Sequence, residues 1–201
     1  MVGMSKGRLE AFSDGVLAII ITIMVLQLPT PKGDTLAALQ PVIPVLLTYL
    51  LSFIYVGIYW NNHHHLFQAA QHLAGGILWA NLNLLFWLSL IPFTTAWVGA
   101  HPLAPWPLAF YGADMLMAAI AYFILTRALI AHHGKDSLLA SSIGADKKGT
   151  ISLALYMTAV GLAFAKPWGA IACYVIVPIM WFLPDRRIER TLASGKTIAT
   201  R

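Results

Sequence analysis

The sequence predicts an all-α integral membrane protein whose subunit contains six transmembrane helices. Of its 201 residues, 59% are hydrophobic and 10% are charged, whereas about a quarter of the residues in a soluble protein are charged. The mean hydropathy is +0.72. Apolar segments of roughly 20 residues, long enough to cross a ~30 Å hydrocarbon core, alternate with short polar connections. This composition excludes an ordinary soluble domain.

Prolines, glycines and charged residues set the limits of the apolar segments. We predict helices at about residues 9–28, 36–60, 73–98, 108–131, 150–165 and 168–183. Pro41 and Pro44 fall in the first turns of the second helix, and Pro92 is expected to interrupt the third near its far end. The fifth helix is short. Residues 1–201 are predicted to form one six-helix unit, with residues 184–201 as a basic tail.

The distribution of lysine and arginine predicts the orientation of the chain. With the N-terminus inside, eleven of the 13 basic residues lie on the inner side and two on the outer side. The inner residues are Lys6, Arg8, Arg127, Lys135, Lys147, Lys148, Arg186, Arg187, Arg190, Lys196 and Arg201, and the outer ones are Lys32 and Lys166. Both termini are therefore expected to be cytoplasmic, in a cell membrane. Because the positive charge lies between membrane segments, it indicates topology and not nucleic-acid binding.

The first helix begins with the polar stretch from Arg8 to Gly15, where each charge at membrane depth must be satisfied or functional. At the helical period, one face carries Phe12, Gly15, Ile19, Thr22, Ile23 and Leu26. The opposite face carries Glu10, Asp14, Leu17, Ile21, Met24 and Leu28. Asp14 is thus expected to point toward neighbouring helices that supply donors. The alternative is ordinary helix packing, with Asp14 as a helix-terminal charge at the headgroups.

Three stretches together resemble the signature of the transmembrane protein 175 family, the lysosomal and prokaryotic potassium channels. The first is Arg8 followed by Phe12-Ser13-Asp14 at the start of the first helix. The second runs from Trp60 through His63 and His64 to Phe67, and the third is Asn81 followed by Leu90-Ile91-Pro92-Phe93-Thr94. The resemblance covers the first half of the chain, and the second half is similar in helix count and hydropathy. The chain is identified as a prokaryotic single-repeat member.

The resemblance implies a homotetramer in the lipid bilayer, with helix one of each subunit lining a central pathway for K⁺. It also implies that Trp60, His63 and His64 join Arg8, Ser13 and Asp14 in a hydrogen-bonded network that anchors helix one. The chain has no Thr-Val-Gly-Tyr-Gly filter, so a ring of backbone carbonyls of that kind is not available. Rings of Ile19, Ile23 and Leu26 would form a hydrophobic constriction that gates by dewetting, and Thr22 would contribute the hydroxyl for selectivity.

Two other functions fit single features of the sequence. Asp14 and Asp114 are acids at membrane depth, as a proton-coupled secondary transporter would need, although the sequence contains no inverted repeat. The run His63-His64-His65 suggests the hypothesis of a histidine-ligated membrane metalloenzyme. Consecutive histidines on a helix, however, point about 100° apart, and histidine pairs at i, i+3 or i, i+4 spacing are missing. We therefore predict no enzyme activity, no structural metal ligand and no cofactor, with K⁺ as the permeant ion.

Overall fold

The computed structural model describes residues 5–68, 70, 74–134 and 146–182. Its helices are α1 (Lys6–Leu26), a 3₁₀ helix (Leu36–Val42), α2 (Ile43–Gln68), α3 (Gly75–Ala100), α4 (Pro105–His133), α5 (Lys147–Ala165) and α6 (Pro167–Phe182). The predicted all-helical class and the count of six helices are confirmed. By length and composition five of them can cross a membrane, while α6, with 16 residues, is apolar but shorter. The predicted tail, residues 184–201, lies outside the described residues.

Several predicted boundaries were wrong for identifiable reasons. α2 does not end at Trp60 but continues to Gln68, because an aromatic pair marks the bilayer interface and not a helix end. Pro92 does not interrupt α3, which runs on to Ala100. One proline removes one backbone hydrogen bond, and a helix packed in a bundle tolerates that loss. The fifth helix, predicted to be short at residues 150–165, begins at Lys147 and has 19 residues, so α6 with 16 residues is the shorter of the two.

The bundle is built around α4, which packs against α3 on one side and α5 on the other. α1 contacts α2 and α3 and lies at the edge of the bundle, while α6 packs mainly on α5. The helix directions alternate, so one end of the bundle holds the first residues of α1, α3 and α5. We call it the N-terminal end. Among the described residues, this end carries Lys6, Arg8, Arg127, Lys147 and Lys148, and the opposite end carries Lys32 and Lys166.

Three buried tyrosines fasten α2, α4 and α6 to one another. Pro178 lies inside α6 and has no N–H, so the carbonyl of Tyr174 loses its usual donor one turn later. The Tyr55 hydroxyl replaces it, donating to Tyr174 O at 2.6 Å. Tyr174 in turn donates to Leu108 O at 2.8 Å and packs edge-on against Tyr111. The carbonyl that Pro178 leaves without a donor and the hydroxyls of Tyr55 and Tyr174 are therefore satisfied inside the bundle, as a bilayer requires.

Gly112 of α4 is the residue that allows Tyr174 to reach α4. A methyl group at this position would collide with the Tyr174 hydroxyl and would lie 3.0 Å from both Tyr174 Cζ and Val160 Cγ2. Both of these atoms lie in the packed interior, so the collision cannot be relieved at a surface.

Replacing Gly112 with Ala should therefore destabilise the subunit by about 1–3 kcal/mol, the usual effect of overpacking a core. Gly161→Ala in α5 is the matched control, because a Cβ at Gly161 meets nothing within 4 Å. Thermal unfolding in detergent, followed by circular dichroism, compares the two variants. Equal melting temperatures would show that Tyr174 can move aside without cost.

Candidate functional site

α1 divides into a face buried in the bundle and a face left open. Its buried residues are Leu9, Ser13, Leu17, Ile20 and Met24, which pack toward α2 and α3. On the open face, Ile19, Ile23 and Leu26 are 58%, 42% and 83% exposed. Thr22 is exposed among them, and its Oγ1 donates to Ala18 O and Ile19 O at 3.1 and 2.9 Å. The predicted pore and selectivity residues thus lie together on one exposed face.

A fully buried chain of hydrogen bonds connects α1, α2 and α3. His63 Nε2 donates to Asn81 Oδ1 at 2.8 Å, and Asn81 Nδ2 donates to Ser13 Oγ at 3.0 Å. Ser13 Oγ then donates to Leu9 O at 2.9 Å. Both polar ends of the Asn81 amide are used, so its orientation is fixed by its partners. Because Ser13 is held from inside the bundle, this chain sets the rotation of α1 about its axis.

The other predicted network residues lie apart from this chain, on the surface of the bundle. Trp60 Nε1 donates to Asp14 Oδ1 at 3.0 Å, and the Trp60 ring stacks on His64. Asp14, Arg8 and Phe12 are exposed. Within the described residues, Arg8 makes no side-chain hydrogen bond or ion pair. The residues predicted to form one network therefore form two separate ones: a buried network through Ser13, and an exposed one between Asp14 and Trp60.

Sequence reasoning missed two further connections of α1. Lys6 Nζ donates to Ala70 O at 3.0 Å and to Gln68 O at 3.4 Å, just where α2 ends. A cation is favourable beside the unsatisfied carbonyls of a helix C-terminus. Near the other end of α1, Met24 Sδ lies 4.0 Å from the Thr95 hydroxyl. The sequence analysis uses Lys6 only for topology, although its position two residues before Arg8 was a usable signal.

A second buried polar cluster lies among α2, α3 and α4, and the sequence analysis had singled out only Asp114 and Thr94 of its members. Thr95 Oγ1 donates to Ser52 Oγ at 2.7 Å, and the Ser52 and Tyr111 hydroxyls are 3.1 Å apart. One residue away, Thr94 Oγ1 donates to Asp114 Oδ2 at 3.0 Å. Asp114 is 4% exposed, and its Oδ1 has no hydrogen-bond partner among the described residues. Isolated Ser and Thr residues in apolar helices were the available sequence signal.

The histidine run lies on the last turns of α2, where its three side chains take different directions. His63 is buried against Asn81, whereas His64 is exposed and its Nε2 accepts from Gln68 Nε2 at 2.8 Å. His65 is exposed beside His64. Within the described ranges, the side chains form no group of three or more His, Cys, Asp or Glu that could hold a metal.

Comparisons with known proteins identify the family of a chain with this geometry. A family model described as "Endosomal/lysosomal potassium channel TMEM175" matches residues 8–92, which include the buried chain and the open face of α1. A potassium channel of Chryseobacterium sp. (strain P1-3) is 53% identical over 189 residues, 94% of this chain and 98% of the relative. The chain belongs to the TMEM175 family. Its relatives are named channels, so it is not an enzyme.

Solved structures of TMEM175 proteins share the fold. The crystal structure of a lysosomal potassium-selective channel TMEM175 homolog from Chamaesiphon minutus superposes with a TM-score of 0.75, at 29% identity, over 89% of this chain and 96% of that one. The human relative, named an endosomal/lysosomal proton channel, is 39% identical over 113 residues, which are 50% of this chain and 20% of the human protein. This chain therefore matches nearly the whole of the Chamaesiphon structure and about a fifth of the length of the human protein.

The buried chain of hydrogen bonds in this TMEM175 protein can be tested at its centre. Asn81→Ala should destabilise the subunit by about 1–3 kcal/mol, because Ser13 and His63 would both be left buried without that partner. Asn83→Ala is the matched control, since Asn83 is exposed on the same helix. Urea unfolding in one detergent, monitored by circular dichroism, gives both values. If Asn81→Ala lowered the free energy of unfolding no more than Asn83→Ala does, the anchoring role would be contradicted.

Proposed function

We propose that the protein is a passive, leak-type potassium channel: a homotetramer in which the open face of α1 lines a central pathway. The observation that carries this proposal is the division of α1. Its polar residues Ser13 and Asp14 are engaged by α2 and α3, while Ile19, Thr22, Ile23 and Leu26 are left for contacts outside the subunit. The potassium channels among its relatives support K⁺ as the permeant ion.

Exposure of apolar side chains alone does not distinguish a pore from a lipid-facing surface, since exposed leucines and phenylalanines occur on every helix. Small residues beside the open face of α1 support the proposal of a pore. Ala11, Gly15 and Ala18 are exposed next to Thr22 and Ile19, and a Cβ at Gly15 would meet nothing within the subunit. Small residues at such spacing let two helix backbones approach closely in a membrane. This surface supports packing of α1 against α1 of other subunits.

The chemistry of the open face of α1 supports a gate without a carbonyl filter. Successive rings of Ile19, Ile23 and Leu26 would offer water no hydrogen bonds, so a narrow passage between them would dewet and block ions. The Thr22 proton is directed at its own helix backbone. Its oxygen lone pairs are thus free to turn toward a passing cation, which makes Thr22 the residue for potassium selectivity.

The proposed orientation of the protein in the membrane follows from the charges at the two ends of the bundle. The basic residues at the N-terminal end favour a cytoplasmic location for that end, and the basic tail adds to the same side in sequence. Both termini would then be cytoplasmic in the cell membrane. The channel needs no cofactor in this proposal.

Ion flux through the purified protein tests the function directly. In planar bilayers with potassium on one side and sodium on the other, we expect a steady current without coupled proton movement and a reversal potential shifted toward that of potassium. Electrically silent transport that moves protons would instead favour the secondary transporter for which Asp14 and Asp114 are the candidate acids. A current that shows no preference among cations would contradict potassium selectivity, but it would still support a conducting pore.

Replacing Ile19 with Asn should raise the single-channel conductance, because the amide gives water hydrogen bonds at the constriction that isoleucine does not. Ile151→Asn on the exposed side of α5 is the matched control and should leave conductance unchanged. Single-channel recording compares the two variants. An unchanged conductance for Ile19→Asn would mean that α1 does not line the narrowest point.

Replacing Thr22 with Val should bring the potassium-to-sodium permeability ratio close to unity, because the nearly isosteric side chain keeps the barrier and removes the hydroxyl. Thr158→Val is matched closely: the Thr158 hydroxyl is also exposed and also donates to its own helix, at 2.8 Å to Ala154 O. Reversal potentials measured under biionic conditions give the potassium-to-sodium permeability ratio of each variant. A loss of selectivity in Thr158→Val alone, or in neither, would refute the role of Thr22.

A further inference from the structure

A cavity of about 180 Å³ lies among α2, α4, α5 and α6, on the side of the subunit that α1 does not touch. Its lining runs from Asp146 and Gly149, at the start of α5, to Tyr55 in α2. The residues that give it chemical character are Tyr59, Asn62, Tyr122, Asp146, Tyr156 and Trp181. The proposed pore uses none of these except through packing, so the cavity needs a separate explanation.

Aromatic rings dominate the wall of the cavity, and one of them already binds a cation. The Lys148 ammonium lies over the Trp181 ring, 5.8 Å from its centroid. Trp181 is held in this orientation because its Nε1 donates to Ser152 Oγ at 3.1 Å, and Ser152 donates to Lys148 O at 2.8 Å. Aromatic faces attract ammonium groups through their quadrupole, and clusters of them recognise quaternary ammonium ligands.

Among the described residues that line the cavity, Asp146 is the one carboxylate. Asp146 caps α5, and its Oδ1 accepts from Gly149 N at 2.8 Å. Within the described residues its Oδ2 accepts no hydrogen bond. Asp146 and Tyr122 both line the cavity. Because this carboxylate already occupies the N-terminus of α5, an anionic ligand would meet repulsion where a bare helix end would attract it.

We propose that this cavity is a binding site for an organic ammonium ion with an apolar body. The ammonium head lies between Asp146 and the rings of Tyr122 and Trp181, and the apolar body extends between Tyr59 and Tyr156 toward Tyr55. A few polar groups at one end of an aromatic pocket are the usual arrangement for fixing the direction of an amphipathic small molecule. Lys148 competes with the head for Trp181, so the site is weakened by its own lysine.

Three probes with the same six-carbon chain test the charge preference: hexyltrimethylammonium, hexanol and hexanesulfonate. Each is titrated by calorimetry into the full chain in dodecyl maltoside micelles, with empty micelles subtracted. The cation should bind roughly tenfold more tightly than the alcohol, as a nearby carboxylate and aromatic faces together predict. Equal binding of cation and alcohol, tighter binding of the sulfonate, or no binding heat above empty micelles would overturn the proposal.

Two substitutions with opposite expected effects on the affinity for hexyltrimethylammonium identify the site. Asp146→Asn keeps a good N-cap for α5 while removing the charge, so the fold is retained and hexyltrimethylammonium should bind roughly tenfold more weakly. Lys148→Met removes the competing ammonium and should tighten binding. Asp34→Asn, an acid at the opposite end of the bundle, is the matched control and should change nothing. Identical affinities for Asp146→Asn and Asp34→Asn would place the cation elsewhere. Because the readout is binding and not current, a failed channel test leaves this result interpretable.

Discussion

The hydrogen bond from Asn81 to Ser13 is the interaction on which the rest of this structure depends. In a bilayer a buried polar group without a partner is costly, and Ser13, Asn81 and His63 lie where no water reaches them. They satisfy one another only if α1 presents Ser13 to α3. That requirement fixes the rotation of α1, and with it the direction in which Ile19, Thr22 and Ile23 point. A constraint inside the bundle thus determines the chemistry of the surface outside it.

The far side of the subunit uses the same principle with different residues. Pro178 frees the Tyr174 carbonyl, Tyr55 satisfies it, and the missing side chain of Gly112 lets Tyr174 reach α4. These contacts hold α2, α4 and α6 together around an aromatic interior. The outer helices therefore stabilise the position of α2, against which α1 is placed.

The sequence predicted more of the fold than of the site, and the difference has a physical reason. Hydropathy reports which segments enter a bilayer, so six helices could be placed, but it says little about where a helix ends in water, and α2 was cut at Trp60 instead of Gln68. The helical period separated Ile19 and Ile23 from Asp14 correctly, since it depends on α1 alone. Pairings between helices depend on packing, so the separation of Asp14 from Ser13, the role of Lys6 and the contact of Ser52 with Thr95 were not predicted.

The subunit by itself does not explain why α1 carries an isoleucine stripe with one threonine. A helix that packs in the core of a subunit would bury its branched residues, yet Ile19 is 58% exposed. The combination becomes reasonable when several copies of α1 face one another across a narrow space. Small residues then permit the approach, branched residues close the passage to water, and Thr22 is the one position where a dehydrated cation meets oxygen. In the proposed channel the function therefore resides in a surface that only assembly would complete, and the bundle would hold that surface at the correct angle.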